Sequence, residues 1–210
     1  MRESTGLTQR FEVKRERIHQ AAQTVFMRYG FEGASMDAIA EEAQVSKPTL
    51  YRYYQNKEAL FVAVLEQLAL HQPSEGDLLA FQGTPMNSLP TLEHALTVWA
   101  QTTLENIMQP TYLGLLRLLI AELPRFPTLG TLFFQAVPQQ GGSFLMVLLE
   151  SAQVHGIITC DDREAAIRLF VGSLLTYVLG NGLLAADGIP HVPSPEQVAA
   201  LARVFLQAIT

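Results

Sequence analysis

The chain has 210 residues, enough for one large domain or for a small module joined to a larger one. Apolar side chains make up 49% of it and charged ones only 16%, so a full core can be buried. The net charge of −6 argues against nucleic acid wrapped along the whole surface, and the single Cys160 excludes an internal disulfide or a multi-cysteine metal cage.

The charge is unevenly placed. Residues Met1–Leu60 carry nine Lys and Arg against eight Asp and Glu, whereas Phe61–Thr210 carry five against twelve. A charge-dense head on an acidic, apolar body predicts two regions with different partners, and a near-neutral head leaves room for a local basic contact. One cysteine fits a reducing, cytoplasmic setting. The N-terminal run MRESTGLTQRFEVKRERI is polar and lacks an apolar h-region, so no secretory signal is expected.

From about Gln9 to Tyr29 the residues Ile18, Ala22, Val25, Phe26 and Tyr29 fall on one helical face, and Gly30 stands where a helix end adopts positive φ. Ser35 is placed to N-cap a short helix through Ala43, with Asp37 in its first turn. After a break at Val45–Ser46, Ser46 caps a helix over Lys47–Tyr53, and Asn56 caps a long one from Lys57 to about His71. The Pro-, Gly- and polar-rich residues 72–90 read as a linker. Further helices are expected at about Thr91–Met108, Tyr112–Leu123, Thr128–Ala136, Gln139–His155, Asp162–Leu184 and Pro195–Ile209, with prolines punctuating them.

No segment alternates as a strand does, so the fold class is all-α. The expected layout is a three-helix head over residues 1–60, a linking helix to about 71, and a larger C-terminal helical bundle over 72–210.

Residues Leu169–Ala186 run 18 positions without a charge, the lower limit for a transmembrane helix. The run holds Ser173, Thr176, Asn181 and three glycines and lacks a positive flank, which favours a helix buried in a bundle or dimer interface. Catalytic constellations are missing from the sequence. The five histidines (His19, His71, His94, His155 and His191) are scattered, with no HExxH spacing, and there is no GxSxG elbow. Gly180–Ala185 matches GxGxxA but follows no strand, and Cys160 reads as a structural thiol. Neither an enzyme activity, a metal nor a cofactor is expected.

The stretch with most functional content is Ala34–Tyr54, two short helices joined by a tight turn. Ile39, Ala40, Ala43, Val45, Leu50 and Tyr54 are the inward positions, the alanines permitting a steep helix crossing. The second helix then presents Lys47, Thr49, Tyr51, Arg52 and Tyr53, phosphate binders beside hydroxyls and aromatic edges, in the manner of a helix that enters the major groove. Lys57, at the start of the next helix, suits a phosphate.

The sequence FEGASMDAIAEEAQVSKPTLYRYYQNKEALF resembles the DNA-binding region of TetR/AcrR-family transcription regulators, and the likeness extends over about Ile18 to Leu65. That resemblance implies a helix-turn-helix DNA-binding domain over residues 1–60 and a ligand-binding and dimerisation domain over 72–210. It further implies DNA contacts at Lys47, Thr49, Tyr51 and Tyr53, a phosphate contact at Lys57, and core roles for Leu50 and Tyr54. Gln44 and Pro48 depart from usual glycines and Tyr54 from a usual phenylalanine. The full set of expected DNA-facing residues is Ser35, Gln44, Ser46, Lys47, Pro48, Thr49, Tyr51, Arg52, Tyr53 and Lys57. Farther on, Glu122–Pro127 followed by Phe133 and Phe134 resembles the ligand-binding domain of the branch described as AefR-like.

With the family as a guide, Trp99, Met108, Tyr112, Leu116, Phe126, Phe133, Phe134, Met146 and Tyr177 are the expected lining of a pocket for a small apolar or aromatic effector. Arg117, Glu105, Glu122 and His94 are candidate polar anchors. The expected homodimer seam uses Phe144, Val147, Leu148, Ser151, Phe170, Gly172, Ser173, Leu175 and Leu179. The implied partners are a palindromic operator, a second copy of the chain and the effector, with no membrane.

Overall fold

Local capping chemistry sets where the short helices begin. The computed structural model describes residues 3–70, 85–186 and 188–210, so most of the expected linker lies outside the described residues. Helix α1 spans Glu3–Gly33, α2 Met36–Glu42, α3 Lys47–Tyr53 and α4 Lys57–Leu70. Ser35 Oγ accepts from the Ala38 amide at 3.1 Å, Ser46 Oγ from Thr49 at 3.3 Å, and Asn56 Oδ1 from Ala59 at 2.8 Å. Each satisfies an amide that the first helical turn leaves without a backbone partner, worth about 1 kcal/mol per cap. Gly30 adopts φ 73, as its place in the sequence predicts, yet the chain resumes helical turns to Gly33, so the glycine kinks α1 rather than ending it.

The later helices are α5 (Leu89–Ile107), α6 (Pro110–Glu122), α7 (Thr128–Ala136), α8 (Pro138–Val154), α9 (Arg163–Tyr177) and α10 (Pro195–Gln207). No strand occurs among the described residues. Prolines 110, 138 and 195 stand at the first position of their helices, and Pro48 and Pro90 at the second. Proline costs nothing there, because those amides lack a helical acceptor anyway and φ is already set. The expected continuous helix over Asp162–Leu184 instead breaks: α9 gives way to a π-helical turn at Val178–Leu183. Gly180, Asn181 and Gly182 are poor helix formers, and Gly182 lies so close to Leu113 that an added Cβ would sit 3.3 Å from both its methyls.

By packing, the described chain divides into two compact units: residues up to Gln67 with Gly114–Ala136, and Leu68–Leu113 with Val137–Thr210. Segment 114–136, expected in the C-terminal domain, thus packs with the helix-turn-helix. In the first unit Phe26, Phe31 and Phe61 interlock at centroid distances of 4.8–5.9 Å, with Ile18, Ile39, Leu50 and Leu65 fully buried around them. Phe126 meets Phe31 edge-on at 5.2 Å, and Arg125 pairs with Glu32. Each such aromatic is worth about 1.5–3 kcal/mol of burial. Tyr29 does not join this core: it is 54% exposed beside the Gly30 kink, with the Arg28 guanidinium 5.8 Å from its ring.

In the second unit α5 packs on α10, and Trp99, Phe170 and Phe205 form a chain of rings at 6.2 Å and 4.8 Å. Ser194 and Gln197 make the reciprocal capping box that starts α10. Two helical stretches, Thr128–Val154 and Arg163–Leu183, are apolar and long enough to cross a membrane by length and composition alone.

Candidate nucleic-acid interface

Helix α3 has seven residues and one fully buried anchor, Leu50. At about 100° per residue, Pro48 and Arg52 point opposite Leu50, with Lys47, Thr49 and Tyr51 at the flanks. Tyr51 is 50% exposed, and Lys47, Pro48 and Arg52 are exposed as well. Ser46 Oγ also meets Thr49 Oγ1 at 2.8 Å, which fixes the start of the helix. Lys47 donates to Asp37 at 2.7 Å, but both are about 60% exposed, so the pair is weak and exchangeable for another anion. The Arg52 guanidinium lies over two neighbouring rings, 5.5 Å from the Phe11 centroid and 5.9 Å from that of Tyr53. The surface so built is cationic, aromatic and hydroxyl-bearing on one short helix, suited to phosphate oxygens and base edges.

The turn before α3 relies on Gln44, which adopts φ 52, a conformation that favours glycine. Its side chain is exposed, and so is that of Ser35.

Two of the expected DNA-facing residues, Tyr53 and Lys57, have partners within the protein. Lys57 is held by carbonyls of its own chain. Its ammonium donates to the carbonyls of Phe31 at 2.6 Å, Ala34 at 2.9 Å and Glu32 at 3.2 Å, and lies 4.6 Å from the Phe31 ring centroid. All three donors are engaged, and the cation caps the carbonyl end of α1, where the helix dipole is negative. Arg17 does the same for α2, donating to Ala43 O at 2.8 Å. Tyr53 is only half exposed: its ring packs on Phe11 at 5.9 Å, and its hydroxyl is buried with no hydrogen-bond partner among the described residues. Leu50 and Tyr54 take the expected inward places.

Tyr54 carries a hydroxyl where the family usually has none, and the structure shows its partner. Gln67 Nε2 donates to the Glu16 carboxylate, which turns Gln67 Oε1 toward buried His19. His19 Nδ1 therefore donates to Gln67, and in the neutral ring Nε2 accepts from Tyr54 Oη. Burial pushes the Tyr54 phenol up to about 12. Phe11, Arg17, His19 and Gln67 carry no motif that the sequence reading singled out; their roles come from tertiary placement.

The expected effector residues divide between the units. Trp99, Met108, Tyr112, Met146 and Tyr177 belong to the second, and Leu116, Phe126, Phe133 and Phe134 to the first. Trp99, Met108 and Tyr112 are buried in core contacts, and burial raises the Tyr112 phenol well above its ordinary value. Phe134 is 62% exposed, and Phe126 packs on Phe31. Two shallow grooves of about 370 and 450 Å³ lie between α1 and α2, edged by Arg17, Glu42, Gln44 and Arg28. Among the described residues no three His, Cys, Asp or Glu side chains are grouped to hold a metal ion.

The seam residues also divide. Val147, Leu175 and Leu179 are 63%, 47% and 51% exposed, and Gly172 opens onto free space. Leu148 and Phe170, expected in the seam, are instead buried in their own chain's core. Ser151 accepts from the Met86 amide at 3.1 Å, while Phe144 and Ser173 are half-buried. Both α8 and α9 have apolar residues on two faces, so periodicity does not separate the inward from the outward one.

Residues 18–64 match the family model for bacterial regulatory proteins of the tetR family, and residues 94–208 match that for the AefR-like transcriptional repressor C-terminal domain. The transcriptional repressor SCO4008 of Streptomyces coelicolor is 43% identical over 70 residues, covering 31% of this chain and 36% of that protein. The regulator RutR of Escherichia coli is 46% identical over 55 residues, 26% of each chain. The match therefore spans well under half the length of these curated relatives. Among solved structures, the flavonoid-responsive regulator FrrA is 30% identical with a TM-score of 0.64, covering 95% of this chain and 98% of its own. A TetR-family regulator from Mesorhizobium loti shares the fold with a TM-score of 0.69 at 24% identity, over 94% of this chain and 95% of that one. With both halves of the sequence matched and the fold shared from end to end, this chain belongs to the TetR family of bacterial regulatory proteins, a family of DNA-binding transcriptional regulators and not of enzymes, with a C-terminal domain of the AefR-like type.

Proposed function

We propose that the chain is a ligand-responsive repressor that binds a palindromic operator as a homodimer in the cytoplasm and is released by a small apolar or aromatic effector. The observation that carries this reading is the outward face of α3, where Lys47, Tyr51 and Arg52 stand clear of a helix anchored by Leu50. Two copies of that face, set about 34–36 Å apart, read successive major grooves. Exposed Val147 on α8, Leu175 on α9 and Leu179 in the π-helical turn that follows support a self-complementary seam, because apolar side chains gathered on a surface favour covering by a partner.

Release works by differential affinity: the effector favours a conformer whose reading heads no longer match the groove spacing. Trp99, Met108 and Tyr112 are packed in the present conformer, so binding draws on a minor state in which they part. A coupling of about 1–3 kcal/mol changes operator affinity roughly 5- to 150-fold. FrrA is by name flavonoid-responsive, and its full-length likeness supports a planar aromatic effector class here. The test is selection of bound duplexes from a random pool, followed by titration with a flavonoid such as quercetin. A two-fold symmetric motif, released by the flavonoid, is expected; a pool without enrichment refutes the DNA reading, and binding unmoved by the flavonoid refutes that effector class.

A further inference from the structure

Phe11 lies outside the matched DNA-binding stretch 18–64, on the early turns of α1, and is 47% exposed. Its ring is tilted 48° to that of Tyr53 at 5.9 Å, and the Arg52 guanidinium lies over both rings, at 5.5 Å and 5.9 Å. Nearby cations are differently engaged: Lys57 and Arg17 donate to backbone carbonyls, Lys47 to Asp37 and Arg15 to Glu12. The contacts of Arg52 are with ring faces. Cation–π contact of this kind restrains the guanidinium beside the rings without consuming its edge donors.

Arg52 points, like Pro48, away from buried Leu50, and its long side chain would otherwise sample many rotamers. Ordering such a side chain on binding costs about 0.5–1.5 kcal/mol, a cost that prior clamping removes. We propose that Phe11 is a positioning residue: with Tyr53 it clamps Arg52 so that the guanidinium edge is presented to acceptors of operator DNA. The N-terminal extension of α1 is then part of the reading head. Half-burial of Tyr53 has a reason in the same geometry, since its ring serves as the second face of the clamp. This inference rests on the DNA-binding reading given above.

The test uses full-length protein and the duplex that wild type enriches from a random pool. Affinities are measured by fluorescence anisotropy for wild type, Phe11→Ala, Phe11→Leu, Phe11→Tyr, Arg52→Ala and the Phe11→Ala/Arg52→Ala double variant. Phe11→Ala and Phe11→Leu are expected to weaken binding roughly 3- to 10-fold, the range of one or two exposed cation–π contacts. Phe11→Tyr keeps a ring face and is expected to bind like wild type. In the Arg52→Ala background the Phe11→Ala change is expected to have no further effect, because the group it positions is gone. Loss confined to the selected duplex assigns Arg52 to a base edge, and equal loss on random duplex with a shallower salt slope assigns it to phosphate. Phe11→Leu binding like wild type, or Phe11→Ala costing the same factor with and without Arg52, overturns the clamp. A wild-type protein that enriches no duplex overturns the DNA-binding reading and the clamp together, whereas enrichment with an additive cycle overturns the clamp alone.

Discussion

Replacing Lys57 by methionine separates two roles that the sequence alone confuses. Methionine keeps an apolar stem against Phe31 and removes the ammonium, leaving the carbonyls of Phe31, Glu32 and Ala34 without their cap. Hydrogen bonds to a charged group are worth about 1.5–3 kcal/mol each, but the three share one ammonium that gives up its own hydration, so the sum does not apply. A cation at a partly buried helix C-terminus contributes up to about 2 kcal/mol. Together these place the loss near 2–3 kcal/mol. Urea unfolding followed by far-ultraviolet circular dichroism reads it as a lower midpoint at unchanged slope. The single Trp99 lies in the other packing unit, so its fluorescence reports that unit separately. An unaltered midpoint combined with weaker DNA binding and a salt slope reduced by about one would refute the capping role and restore Lys57 as a phosphate ligand.

Other residues give sharper local tests. Gln44→Gly relieves a left-handed residue whose cost is about 1–2 kcal/mol, offset in part by the freedom glycine gains when unfolded, so a gain of about 0.5 kcal/mol is expected in the same urea assay. Tyr54→Phe removes the hydroxyl that donates to buried His19 Nε2 and is expected to cost about 1 kcal/mol at neutral pH, the net worth of one hydrogen bond. The Tyr54 phenol is raised in the folded state from 10.0 to about 12, so its contribution is complete below pH 10 and is lost as pH climbs toward 12. Wild type therefore loses stability across that window more steeply than Tyr54→Phe, as unfolding midpoints at stepped pH would register. Leu175→Glu, which places a charge on the exposed strip of α9, is expected to give monomers in sedimentation, and an intact dimer would move the seam off α9.

What the sequence made legible was local. Ser35, Ser46 and Asn56 act on amides three residues away, so their caps are visible in the string of letters, and Gly30 takes the positive φ its position implied. The prolines misled by a residue or two. They read as breaks, but at the first helical positions they start helices, and α6 and α8 begin on them. Tyr29 fits the apolar period of α1 and still faces outward, because the Gly30 kink ends the regular face there. Lys57, Arg17 and Phe11 act across 20 residues or more, and no periodicity encodes which carbonyl or ring they meet. Leu148 and Val147 illustrate the remaining ambiguity: adjacent apolar residues on one helix, one buried at 3% and the other 63% exposed, distinguished only by what packs beside them.

The exposed side of α3 is the element on which the functional account stands, and Tyr51 is its most exposed aromatic. Duplexes enriched from a random pool by wild type and by Tyr51→Ala should be sequenced side by side. The account predicts a wild-type motif of two inverted half-sites one helical turn apart, with the variant losing preference at the same position in both. Identical motifs from the two proteins, or a wild-type motif without two-fold symmetry, would contradict it.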